Sequence, residues 1–270
     1  MKSPAAPSIT GVASEFDRRA ARAELLAGRS PAAEEPLRFA AGLYRVQAAV
    51  ASDLEASHAD EPLTGHLPED AERVAAAVPA VIRYADEAGP PALSETARAR
   101  RQDLPSTAQT RLLVYWQGDA RDDYLSRAIL RPYVEVLRAV RVPPDRAHRE
   151  GSCPLCGGAP WVSARREGST MEGAKRMLAC ALCGGEWLFG RILCPSCLEQ
   201  NPDRLPSFTS QTHPTVRIEA CETCRRYVKS LDLSEDARPI PEVDDLVSLS
   251  MDLWARDQGF ARIEPGLAGL

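Results

Sequence analysis

Cys153-Pro154-Leu155-Cys156, Cys180-Ala181-Leu182-Cys183, Cys194-Pro195-Ser196-Cys197 and Cys221-Glu222-Thr223-Cys224 contain every cysteine of this 270-residue chain. The four pairs are in register. Between the first two lie 23 residues, between the last two another 23, and a shift of 41 carries the first set onto the second. The repeat reaches beyond cysteine, because Arg176 and Ala179 fall on Arg217 and Ala220 at the same shift. Two Cys-x-x-Cys knuckles supply four thiolates to one tetrahedral ion, with nearby backbone N–H groups free to point at sulfur. A duplicated unit should carry a whole site. The reading is therefore Cys153, Cys156, Cys180 and Cys183 for one ion, and Cys194, Cys197, Cys221 and Cys224 for the other. A cross-brace would instead join the first knuckle to the third and the second to the fourth. Glycine follows the first two knuckles at Gly157 and Gly184-Gly185, where a positive φ is tolerated. The later two are followed by Leu198 and Arg225.

Working outward, residues before the cysteines lack metal ligands of this kind and must fold on an apolar core. Phe39, Leu43, Val46, Val50 and Leu54 form a helical stripe from about Pro36. A second helix is predicted from Pro68-Glu69-Asp70 to Gly89, kinked at Pro79. A third spans about Ser106–Trp116. A fourth starts near Asp122 and is interrupted at Pro132. Val142-Pro143-Pro144 closes this helical part. Beyond the cysteines, Val243, Leu246, Val247, Leu249, Leu253 and Trp254 predict a last helix over about Glu242–Gln258, capped at Gly259 and docked on a module. The expected fold is α+β in two parts: an all-α domain over 1–149, tandem metal modules of rubredoxin-like or zinc-ribbon type over 150–188 and 189–234, and a C-terminal helix and tail over 235–270.

The chemistry is bounded by what the ligands leave over. Four thiolates fill each ion's coordination, so neither offers an open position for substrate. No P-loop, dinucleotide fingerprint, His-Glu-x-x-His or nucleophile elbow occurs, and no enzyme activity is expected. His148 and His213 lie near the cysteines but are not needed as ligands. A thiol oxidoreductase would place one Cys-x-x-Cys beside a βαβ unit, which is absent here. Iron or zinc suits such sites; the spacing matches neither familiar ferredoxin pattern. Residues 150–232 hold ten basic and nine acidic side chains. Two tetrathiolate sites on divalent ions bring that region to a net charge of −3, which disfavours a zinc-ribbon nucleic-acid binder. No run approaches the roughly 18 apolar residues of a membrane helix. Met1-Lys2-Ser3-Pro4 carries no secretory apolar run, and Arg18-Arg19 is followed by a charged segment rather than an export signal. A cytoplasmic protein without membrane insertion is expected, in a reducing compartment that favours metal-held thiolates.

The ordered series Cys153-Pro154-Leu155-Cys156-Gly157, Leu178-Ala179-Cys180, Glu186-Trp187, Arg191-Ile192-Leu193-Cys194-Pro195-Ser196-Cys197, Glu219-Ala220-Cys221, Arg225-Arg226-Tyr227-Val228-Lys229, Asp244-Asp245-Leu246-Val247-Ser248-Leu249 and Gly259-Phe260-Ala261-Arg262 resembles the formate dehydrogenase accessory protein family FdhE. The resemblance covers about 150–265. It implies a non-catalytic, chaperone-like maturation factor that engages the catalytic subunit of respiratory formate dehydrogenase in the cytoplasm. It also implies two rubredoxin-like iron centres on the eight cysteines, with zinc as the alternative occupant. Glu186, Trp187, Arg191, Asp244 and Asp245 fall on the family's motifs and become candidates for partner contact. Structural roles compete for them: Trp187 as cover for a metal site, and Asp244 and Asp245 as helix N-terminal acids. A rubredoxin-like electron-transfer protein is the other reading of the same residues.

Overall fold

The computed structural model describes residues 11–120, 122–166 and 174–269; the Met1-Lys2-Ser3-Pro4 segment lies outside them. Helix α1 (Val12–Ala27) and the long α2 (Glu34–Asp60) form an antiparallel hairpin around a 3-10 turn at Pro31–Ala33. Arg18-Arg19 belongs to α1, and Arg19 is buried. The second predicted helix is two, α3 (Leu67–Ala75) and α4 (Val78–Ala88). Pro79 occupies the second position of α4, where a missing N–H costs nothing, so the chain breaks before it instead of kinking at it. Helices α5 (Pro91–Arg100) and α6 (Pro105–Gln117) also open on proline.

Helix α7 (Tyr124–Val140) is the axis of the molecule, buried from Leu125 to Leu137. Asp123 caps it by accepting from the Ser126 N–H. Pro132 does not interrupt it. Proline leaves the carbonyl four residues earlier without its helical donor. That carbonyl, of Ala128, accepts from Gln47 Nε2 at 2.8 Å.

The cysteine region folds as one sheet rather than as two separate ones. Strands β1 (Pro160–Arg166), β2 (Lys175–Cys180), β3 (Glu186–Leu188), β4 (Ser207–Thr209), β5 (Val216–Cys221) and β6 (Arg226–Leu233) lie in the order β3-β2-β1-β6-β5-β4. The shift of 41 maps β2 onto β5 and β3 onto part of β6. The second half therefore repeats the first by translation, and parallel pairing of β1 with β6 joins them. A short β7 (Ala261–Arg262) adds to β6.

The predicted last helix is segmented into α8 (Pro241–Asp244), a 3-10 turn at Asp245–Ser248, and α9 (Leu249–Asp257). The carbonyls of Asp245 and Ser248 are turned toward Lys229 Nζ, at 2.8 and 3.3 Å, instead of continuing an α-helical ladder.

Two buried rings of alternating charge lock the parts together. Arg19 of α1 and Arg131 of α7 alternate with Glu135 of α7 and Glu242 of α8, over contacts of 2.5–2.8 Å. Lys229 of β6 and Arg262 of β7 alternate with Asp245 and Asp252, over 2.5–3.1 Å. Burial pushes the Glu242 carboxyl up, but Arg131 and Arg19 more than reverse this and hold it below the usual range. Asp245 is held low in the same way by Arg262 and Lys229. The first ring ties the helical part to the C-terminal segment, and the second ties that segment to the sheet.

Candidate metal centres

The eight thiols gather into two tetrads. Within each, all sulfurs lie within 4.8 Å of one another. Cys153–Cys183 and Cys156–Cys180 approach at 3.6 and 3.4 Å, and Cys194–Cys224 and Cys197–Cys221 at 3.8 and 3.6 Å. A tetrahedron with metal–sulfur bonds of about 2.3 Å has edges of about 3.8 Å. A disulfide needs roughly 2.05 Å. The sulfurs are thus spaced for an ion among them and not for oxidation to one another. Burial and the three neighbouring thiols push the Cys180 thiol up, while hydrogen bonds from the other three thiols pull Cys153 down; a cation among the sulfurs would offset the repulsion of four thiolates.

The four knuckles share one backbone geometry. The residue after each second cysteine is left-handed: Gly157 at φ 65°, Gly184 at 63°, Leu198 at 64° and Arg225 at 56°. Each donates its N–H to the carbonyl of the knuckle's first cysteine, at 2.9–3.2 Å. The substituted positions Leu198 and Arg225 therefore keep the turn and bear a cost of about 1–2 kcal/mol each that glycine avoids. Backbone donors also reach sulfur, from Leu182 and Cys183 to Cys180 and from Ser196 to Cys194, all at 3.4 Å.

The centres differ in setting. In the first, all four thiols are at most 2% exposed. Gly158 and Gly185 line it without side chains. A Cβ at Gly158 would stand 2.7 Å from Cys180 Sγ, and one at Gly185 3.3 Å from Cys183 Sγ. The second-glycine role escaped the sequence reading, although Cys-Gly-Gly after both knuckles of this centre was its signal. At Gly184 a Cβ would lie 2.9 Å from Arg19 Nη2 and 3.0 Å from Glu135 Oε1, so the second knuckle rests on the first charge ring. In the second centre Cys194 and Cys221 are buried, Cys224 is half-buried and Cys197 is exposed.

The remaining candidates are scattered. Glu186 and Trp187 lie on β3. Glu186 accepts from Arg166 Nε and Nη2 at 2.8 and 2.7 Å, and half-buried Trp187 pairs across the strands with Leu178. Arg191, beyond β3, donates to the Ala174 carbonyl. Asp244 accepts from Arg22 and from the Ile240 N–H. Asp245 is 2% exposed within the second charge ring. His213 contacts Ser250, at 3.2 Å, and neither it nor His148 joins a tetrad. Among the described residues no helix is long and apolar enough to cross a membrane.

A helical domain, a duplicated sheet with two four-cysteine groups that could each hold a metal ion, and a C-terminal segment clasped between them define the class of this protein. Residues 152–191 match the central domain of FdhE, and residues 192–267 match its C-terminal domain. Over residues 152–267 the chain is therefore similar to the FdhE family. A protein FdhE homolog of Aquifex aeolicus is 38% identical over 117 residues, which is 43% of this chain and 41% of that protein. Matches of this kind span about two fifths of those relatives. One from Cronobacter sakazakii is 28% identical over 270 residues, covering 92% of this chain and 85% of that protein. The crystal structure of the FdhE protein from Pseudomonas aeruginosa shares the fold at a TM-score of 0.66 and 21% identity, over 95% of this chain and 96% of that one.

Proposed function

We propose that this chain is an accessory factor for maturation of formate dehydrogenase, binding the catalytic subunit in the cytoplasm, with the eight cysteines holding two metal ions. The observation that carries the reading is the pair of thiol tetrads on one duplicated sheet, in residues that match the central and C-terminal domains of FdhE. Closed tetrahedral sites stabilise a fold and a surface and leave no position for substrate. Iron is the occupant that the resemblance implies; zinc fits the same donors.

The outer edge of β3 is the docking surface, and its occupant is an extended segment of the catalytic subunit. The shift of 41 places Glu186–Leu188 on residues 227–229 of β6, where Lys229 pairs in parallel with Val162 of β1 and Tyr227 in parallel with Arg262 of β7. Among the described residues the same edge of β3 has no strand beside it. Leu188 of β3 and Ile192 in the turn that follows are 64% and 58% exposed, in the same stretch of chain as Glu186, Trp187 and Arg191. Strand addition at such an edge draws affinity from main-chain bonds.

Anaerobic pull-down with tagged chain tests both statements. Co-purification of the catalytic subunit is expected, and its loss in Leu188→Asp with both ions retained places the contact at β3. No association under anaerobic conditions overturns the accessory reading. The exposure of Cys197 favours electron transfer as the second reading; a reversible one-electron potential with no partner association would select it.

A further inference from the structure

The sheet face that carries Arg165, Arg176 and Arg217 holds a groove of about 220 Å³ at the joint between the two repeats. Five guanidinium groups line it: Arg165 of β1, Arg176 of β2, Arg217 of β5, Arg226 of β6, and Arg191 from the segment between the repeats. One carboxylate shares the lining, Glu219, paired with Arg176 at 2.7 Å. Asp232 stands beside the groove, 3.7 Å from Arg217. The second thiol tetrad borders it through Cys194 and Cys221. With a divalent ion there, the tetrad contributes −2, and the neighbourhood still keeps a positive excess.

Two features leave the arginine cluster incompletely compensated. Arg165 and Arg176 face each other directly across antiparallel β1 and β2. Like charges directly opposite destabilise a sheet; the carboxylates set against them are Asp232, opposite Arg165 across β1 and β6, and Glu219 on Arg176, fewer than the five guanidinium groups. Arg176 is 6% exposed, and its Nε–H has no acceptor, although Nη1 donates to the carbonyls of Gly190 and Leu193 at 2.8 and 2.9 Å. A buried donor left without an acceptor costs about 1–3 kcal/mol, more when charged. Planar guanidinium forks match the oxygens of phosphate in bidentate fashion. The volume lies below the roughly 300–1,000 Å³ of sites for drug-sized ligands, which favours a single small group over a nucleotide.

We propose that this groove binds a phosphate-class oxyanion, with Arg165, Arg176 and Arg217 as its principal donors. Inorganic phosphate is the probe, titrated calorimetrically into the metal-loaded full chain at low ionic strength in a phosphate-free buffer. Saturable 1:1 binding is expected, weakened at least tenfold in Arg165→Gln and in Arg217→Gln and unchanged in Arg38→Gln, whose side chain is exposed on α2. The two groove variants are independent, so a folding failure in one leaves the other to decide. Metal content is measured in each. Succinate is the carboxylate arm: weaker binding than phosphate supports the proposal, and equal or tighter binding overturns it. Absence of saturable phosphate binding also overturns it. So does a groove variant that loses metal while phosphate affinity stays at the parent value, which would assign the arginines to neutralising the second tetrad.

Discussion

The two centres should release their ions at very different rates. The first tetrad is sealed, and its second knuckle lies on the ring of Arg19, Arg131, Glu135 and Glu242. Exposing its sulfurs means disturbing that ring, and breaking a buried ion pair costs about 3–5 kcal/mol. At about 1.4 kcal/mol per tenfold in rate, release from the first centre falls behind the second by about a hundredfold or more. Cys197 of the second tetrad already meets solvent. A chromogenic chelator in excess, added to protein with both ions bound, should therefore give two phases of one ion each. Cys197→Ser should speed or abolish the fast phase and leave the slow one alone. Arg131→Met leaves Glu135 and Glu242 with Arg19 as their shared partner in the ring. It should accelerate the slow phase about a hundredfold or more without touching the fast phase. A single phase releasing both ions, or a slow phase indifferent to Arg131→Met, refutes the coupling of the first centre to the charge ring.

Other consequences are open to direct measurement. Gly158→Ala drives a methyl into the first tetrad, so elemental analysis should find about one ion per chain in place of two. Gln47→Leu strips the Ala128 carbonyl of its donor over Pro132, and the urea midpoint should fall by the equivalent of about 1–3 kcal/mol. Leu198→Gly and Arg225→Gly relieve left-handed backbone and should each slow metal loss from the second centre. Glu242 has a lowered carboxyl pKa in the fold, so its contribution is present above the unfolded value of about 4.3. That contribution disappears as pH falls through the lower folded value. The difference in stability between parent and Glu242→Gln, followed by circular dichroism, should shrink across that window; a constant difference contradicts the ion-pair assignment.

The two cysteine tetrads were legible because their geometry is local. A Cys-x-x-Cys turn fixes two sulfurs within one hydrogen-bonded loop, and a copied loop repeats the statement. The tolerance of Leu198 and Arg225 for the glycine conformation was not legible, since the turn's own hydrogen bond overrides residue preference. Helical stripes located α2 and α7 but not the continuity of α7 through Pro132, which depends on Gln47 from another helix. Nor could spacing reveal the charge rings, whose members come from positions as far apart as Arg19 and Glu242. Asp244 and Asp245 showed this most plainly. They read as a surface or capping pair, and they are engaged in ion pairs with Arg22, Lys229 and Arg262. The single sheet was hidden for a similar reason: parallel pairing of β1 with β6 joins residues more than 60 positions apart.

The translational order of that sheet bears on quaternary behaviour. A unit joined to its copy by translation presents a socket at one end that resembles its own internal seam. Contacts of this kind do not close into a dimer; they propagate, and the hazard is fibre growth. Here the exposed socket is three residues long and is flanked by the Arg166–Glu186 pair, while the far edge ends in an equally short β4. Truncated, charged borders of this sort are poor templates for self-association. Lengthening β3 toward the span of β6 would remove that safeguard and turn a discrete molecule into a polymerising one.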